Sequence, residues 1–104
     1  MREERIARLK ALLEQQPDDS FSRYALALEY AALEKSADAL ALLQEVIHRD
    51  ASYVPAYQQL GYLYQKLNRK EDAIDIFRRG LSAAAAQGDT HARSEIQEAL
   101  DDMD

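Results

Sequence analysis

The sequence predicts an all-α chain built from repeated helix pairs, on three observations. Its 104 residues hold only 3 Gly and 2 Pro among abundant Ala, Leu, Glu, Gln and Arg, a composition that favours helices. No stretch alternates apolar and polar residues as a half-buried strand does, and no Asn-Gly or Asp-Gly pair marks a hairpin. Finally, a shift of 34 places sets Leu26 on Leu60, Tyr30 on Tyr64, Leu33 on Leu67, Asp38 on Asp72 and Ala39 on Ala73. The same shift pairs Ala27 with Gly61, Leu43 with Phe77 and Ile47 with Leu81, small against small and large against large.

Each element has its own local reasons. Ile6, Leu9, Leu12 and Leu13 recur at helical spacing and predict a helix over 2–15, closed by Pro17-Asp18-Asp19. A second helix is expected over 20–33, capped by Asp19 or Ser20, and a third over 37–49, capped by Ser36. The fourth spans 53–67, with Ser52 as its cap and Pro55 tolerated in the first turn, where a missing N–H costs nothing. The fifth covers 70–87, and the Ala83–Ala86 run carries it about a turn beyond an ordinary repeat helix. Gly88-Asp89-Thr90 reads as a helix stop followed by a cap. A sixth helix over 90–102 then shows a thin apolar stripe of Ala92, Ile96, Ala99 and Leu100, which suits a terminal helix with one wet face.

Residues 54–87 resemble the tetratricopeptide repeat, a helix–turn–helix unit, through Tyr57, Leu60-Gly61, Tyr64, Ala73 and Phe77, with Gly80 for the last Ala and Ala85 for the closing Pro. Residues 20–53 fit through Leu26-Ala27, Tyr30, Ala39, Leu43 and Val46. Arg23 stands where the bulky aromatic belongs, with Phe21 and Tyr24 adjacent to supply the lost surface. Residues 1–19 fall on the second half of a preceding repeat, and 88–104 form a capping helix and acidic tail, all within one domain of 1–104. Asn68 takes the place of the family's turn glycine and Glu34 the equivalent place one repeat earlier. Gly61, mid-helix, costs roughly 1 kcal/mol against Ala, and close helix packing is the reason to keep it. The resemblance implies a right-handed α-α superhelix of about two full repeats flanked by a half-repeat helix and a cap, like the short stand-alone bacterial members of the family.

Chemistry is harder to find. Without cysteine, disulfides, thiolate zinc sites and Cys nucleophiles are excluded. The glycines at 61, 80 and 88 are too scattered for a phosphate loop, and His48 and His91 lack partners at ligand spacing, so no cofactor or metal is expected. Six serines include no Gly-x-Ser-x-Gly elbow, and the reading is of a protein that is not an enzyme. Nineteen acids against 13 bases give a net charge of -6, which argues against nucleic-acid or anionic-membrane binding. No apolar run approaches the roughly 20 residues that span a bilayer. The first residues lack an apolar export signal, so the cytoplasm is the expected location.

The expected function is therefore recognition of a protein or peptide. The family resemblance places the partner in a concave groove lined by leading helices, here by Phe21, Tyr24 and Leu28, then Gln58, Gln59, Tyr62, Gln65 and Lys66, with Arg93 added by the last helix. Phe21 and Leu28 either face that groove or lie under the N-terminal helix. The family's carboxylate clamp for chaperone tails would fall on Tyr24, Leu28, Gln59, Asp89 and Arg93, of which only Arg93 is compatible, so chaperone C-terminal tails are not the expected partner. The alternative is a homodimer formed through the N-terminal helix edge or the groove.

Overall fold

A computed structural model describes residues 1–103; Asp104, the end of the expected acidic tail, lies outside them. Six helices appear: α1 (Arg2–Gln15), α2 (Ser20–Ala32), α3 (Ser36–Arg49), α4 (Val54–Lys66), α5 (Lys70–Ala86) and α6 (Thr90–Asp102). There is no strand among the described residues. The sequence repeat is a repeat of elements: α1 displaced by 34 residues gives the bounds of α3, and α2 displaced by 34 gives those of α4. α5 has 17 residues against 14 in α3, as the alanine run predicts.

The chain divides into two compact units, Met1–Asp50 and a second that begins at Ala51. In the first, α2 and α3 form a hairpin and α1 packs on α2. Its core is Leu26, Ala27, Ala39, Leu43, Val46 and Ile47. In the second, α4 and α5 form the hairpin and α6 packs on α5 around Tyr57, Leu60, Ala73, Ile76, Phe77 and Ile96. The two cores solve one volume problem differently. Ala27 and Leu43 in the first become Gly61 and Phe77 in the second, a smaller residue matched to a larger one. A Cβ on Gly61 would collide with Cε1, Cζ and Cδ1 of the Phe77 ring.

The helix ends show how the turns are made. Glu34, Asn68 and Gly88 all take the left-handed conformation, at φ 59°, 60° and 67°. After each, the next N–H reaches back to a carbonyl five residues earlier: Lys35 to Tyr30 at 2.9 Å, Arg69 to Tyr64 at 2.8 Å, Asp89 to Ala84 at 2.9 Å. This closure satisfies carbonyls that a helix terminus leaves open. At the N-termini, Asp19 accepts from the Ser22 N–H at 3.2 Å and from its hydroxyl at 2.6 Å, and Asp89 accepts from the Ala92 N–H at 3.0 Å. Neither Ser36 nor Ser52 stands at the N-cap position expected of it. α3 starts one residue early, so Ser36 is its first helical residue and Lys35 the cap, while α4 is preceded by Tyr53; neither makes a side-chain capping bond to its helix. Pro55 in the first turn of α4 removes one of the N–H donors that would need a partner there.

Arg23 fills the aromatic position itself. It is 8% exposed, and its Nη2 donates to the Pro17 carbonyl at 2.6 Å. Tyr57, its counterpart, donates its hydroxyl to the Ala51 carbonyl at 2.7 Å. Both bonds therefore reach the carbonyl six residues upstream and tie the incoming loop to the leading helix. Phe21, expected to supply the lost surface, is instead 66% exposed, because Arg23 already occupies the space.

Candidate functional site

Residues i, i+3 or i+4, and i+7 share one face of a helix. On α2 this places Phe21, Tyr24 and Leu28 together, and on α4 it aligns Gln58, Tyr62 and Gln65, with Gln59 beside them. The 34-residue register sets Tyr24 on Gln58 and Leu28 on Tyr62, so the two stripes are equivalent faces of equivalent helices. Phe21 is exposed, and Tyr24 and Leu28 are half-buried.

On α4, Gln58, Gln59 and Gln65 are half-buried and Tyr62 is 40% exposed. The Tyr62 ring is held edge-on against Phe77, with centroids 5.5 Å apart and planes at 67°. Gln58 Nε2 lies 3.4 Å from Glu95 Oε1 on α6, and His91 Nε2 lies 3.3 Å from the same oxygen. Between α4 and α6 is a hollow of about 270 Å³ lined by Tyr62, Gln65, Glu95, Glu98, Ala99 and Asp102. Arg93 does not join these groups. It lies on another side of α6, in a shallow crease against α5 with Leu81, Thr90, Ser94 and Gln97.

The acids of α6 are the residues that sequence reasoning passed over. Glu95, Glu98 and Asp102 read as a solvated terminal run, yet their i, i+3, i+7 spacing was the available sign that they share a face. Two of the basic residues concentrated around α5 are used locally. Arg69 pairs with Asp72 at 2.8 Å and lies 4.7 Å over the Tyr64 ring, and Arg79 lies 5.8 Å over Tyr57. No helix among the described residues is long and apolar enough to cross a membrane.

Helix pairs recurring at 34 residues, with small residues at the crossing and exposed side chains on the leading helices, define a helical-repeat protein. The comparisons name which kind: a tetratricopeptide repeat model matches residues 1–84, and the chain belongs to that family. A tetratricopeptide repeat domain protein from Salinibacter ruber, solved in solution, is 39% identical over 86% of this chain and 90% of its own, with a TM-score of 0.81. A protein from Bordetella parapertussis is 31% identical over 94% of this chain and 85% of its own, also with a TM-score of 0.81. The TPR2B domain of yeast Sti1, solved as a complex with pHsp70, shares the fold at 16% identity, with a TM-score of 0.87 over 94% of this chain and 78% of its own. A comparison with curated proteins finds no significant match. The family assignment suggests a protein–protein interaction module.

Proposed function

We propose that the protein binds an extended peptide or a single helix of a protein partner on the exposed face of a leading helix, α2 in the first unit or α4 in the second. The observation that carries this reading is the pair of aromatic rings left in water there, Phe21 and Tyr62. Large apolar side chains are costly to leave hydrated, and aromatic residues supply contact area at little entropic cost on binding. The amides of Gln58, Gln59 and Gln65 beside Tyr62 can donate to and accept from an extended backbone. That the yeast domain was solved as a complex with pHsp70 supports recognition of a protein partner by this fold, although of the clamp positions for a chaperone tail only Arg93 is compatible here.

The test is selection of short random peptides displayed on phage against the immobilised protein, with a Phe21→Ser, Tyr62→Ser double variant as control. Circular dichroism should stay that of wild type and the melting midpoint should fall only by the loss of the Tyr62 contact with Phe77, about 1 kcal/mol, while peptide capture is lost. Capture that survives in the folded double variant refutes the assignment of these faces.

Self-association is the second reading, and the exposure of Leu12 on α1 favours it. Arg5 weighs against it, because it sits in register with Ala39 and Ala73, positions where a closely packed partner helix needs a small residue. Light scattering after size exclusion decides: a mass of one chain at every concentration removes the dimer.

A further inference from the structure

We propose that α6 is the interface of a symmetric dimer, lying antiparallel to the α6 of a second copy along the groove it forms with α5. Two creases of about 350 and 220 Å³ run along this side of the second unit. They share Leu81 and Gln97 and so form one continuous groove. Its floor is apolar, with Ile74 and Leu81 from α5 and Leu100 from α6, each half-buried. Arg93 and Ser94 stand at one end and Asp101 at the other.

The position of the groove in the repeat accounts for its being open. α6 begins 36 residues after α4, and in that register Ala92 falls on Ala56 and Ile96 on Leu60, all four buried. α6 is thus built as a leading helix. Arg93 then falls on Tyr57, which is 4% exposed because α5, the helix that follows α4, lies over it. Arg79 of α5 stands over the Tyr57 ring, and Gly80 packs against its Cβ. No helix among the described residues follows α6, and Arg93 and Gln97 are exposed. Gln97 falls on Gly61, so this face lacks the small residue that lets Phe77 approach closely. A helix that covers it must lie along it, side chain against side chain.

Charge says which helix. Along the exposed face the sequence runs Arg93, Gln97, Asp101 in steps of four, basic at one end and acidic at the other. The pattern is its own complement. In an antiparallel pair centred on Gln97, each Arg93 meets the partner's Asp101, and each Leu100 meets the partner's Ser94, large against small. Arg93 makes no ion pair among the described residues, and the Asp101 carboxylate accepts from the Gln97 amide through Oδ1 at 2.9 Å, which holds it along the face. An acidic helix of another protein would satisfy Arg93 but be repelled by Asp101, and a basic one the reverse. A second copy satisfies both.

Sedimentation velocity over a range of concentrations tests this on the full chain. Arg93→Asp and Asp101→Arg each reverse two pairs at once, because the two-fold axis repeats every change. Both residues are exposed, and each new charge suits its end of the helix dipole, so circular dichroism should be that of wild type. Each single variant should weaken dimerisation roughly tenfold or more. The two combined should regain most of that loss, short of all of it because Arg78 lies beside position 101. A single chain at concentrations up to about 1 mM overturns the inference. So does a dimer that neither single variant weakens, or one that the combined variant leaves as weak as the singles. A dimer lost instead in Leu12→Ser belongs to the α1 edge and overturns it as well. The peptide-binding reading rests on other residues, and none of these results bears on it.

Discussion

Gly61 and Phe77 offer a quantitative test of how the helices are packed. A methyl at position 61 would sit 2.7 Å from Phe77 Cδ1 and closer still to Cε1 and Cζ, and the ring is fully buried, so it has nowhere to swing. Overpacking of this kind costs about 1–3 kcal/mol, offset by the roughly 1 kcal/mol gained when a mid-helix glycine becomes alanine. Gly61→Ala is therefore expected to lose up to about 2 kcal/mol. Phe77→Leu alone should lose a similar about 1–2 kcal/mol, as buried ring surface gives way to a partly filled space. Together the two substitutions rebuild the Ala27 and Leu43 pairing that the first unit already uses. The double variant should then lie within about 1 kcal/mol of wild type, a coupling of about 2 kcal/mol between the sites. Urea titrations followed by circular dichroism measure all four corners of the cycle. If the two losses simply add, the methyl and the ring do not compete for one space, and the packing register is wrong.

Two other outcomes follow from the helix ends and loops. The Ser22 hydroxyl, and after it the Ser22 backbone N–H, hold the Asp19 carboxyl below its ordinary value. A lowered folded-state value means that the cap's ionic contribution is complete above the ordinary Asp range and is lost as pH falls through the folded value. Asp19→Asn keeps a cap that cannot ionise, so the advantage of wild type in melting midpoint should shrink below about pH 4 and be constant from there to neutrality. Separately, Tyr57→Phe leaves the Ala51 carbonyl without its hydroxyl donor and should lower stability by about 1 kcal/mol in denaturant titration; an unchanged midpoint would mean that water replaces the bond without cost.

Helix positions were legible because apolar spacing and breakers are local properties: every helix begins and ends within a residue or so of where the sequence placed it. Asn68 was readable as a left-handed turn, whereas Glu34 was not, because no side-chain preference of its own leads it there; the closure from Lys35 to Tyr30 does. The serine caps misled for a related reason. Ser36 is a good cap by type, but Lys35 begins the first turn with backbone bonds alone, and a one-residue shift removes the geometry that a cap requires. At the candidate site, helical spacing was enough to group Phe21 with Tyr24 and Leu28, and Gln58 with Tyr62 and Gln65. It could not bring Glu98 and Asp102 to Tyr62, since that proximity depends on how α6 packs on α5. The same docking turns Arg93 away from the amides it was expected to join.

α1 and α3 have the same length and the same register in the repeat, yet α3 buries four residues and α1 none completely. What holds α1 is partial cover of Ile6, Leu9 and Leu13, together with Arg2 and Arg5 converging on Glu29 at 2.8 and 3.4 Å. Glu29 is itself 7% exposed and stands in register with Leu63, so a carboxylate occupies a place that the second unit fills with hydrocarbon. When α1 lifts away, that carboxylate regains water, which repays part of the contact it gives up. Opening of α1 is thus the least costly fluctuation of its unit, and its amides should exchange with deuterium ahead of those of α3 and faster at high ionic strength. Two helices of one design therefore belong to different kinetic classes, one tied to global unfolding and the other free to open on its own.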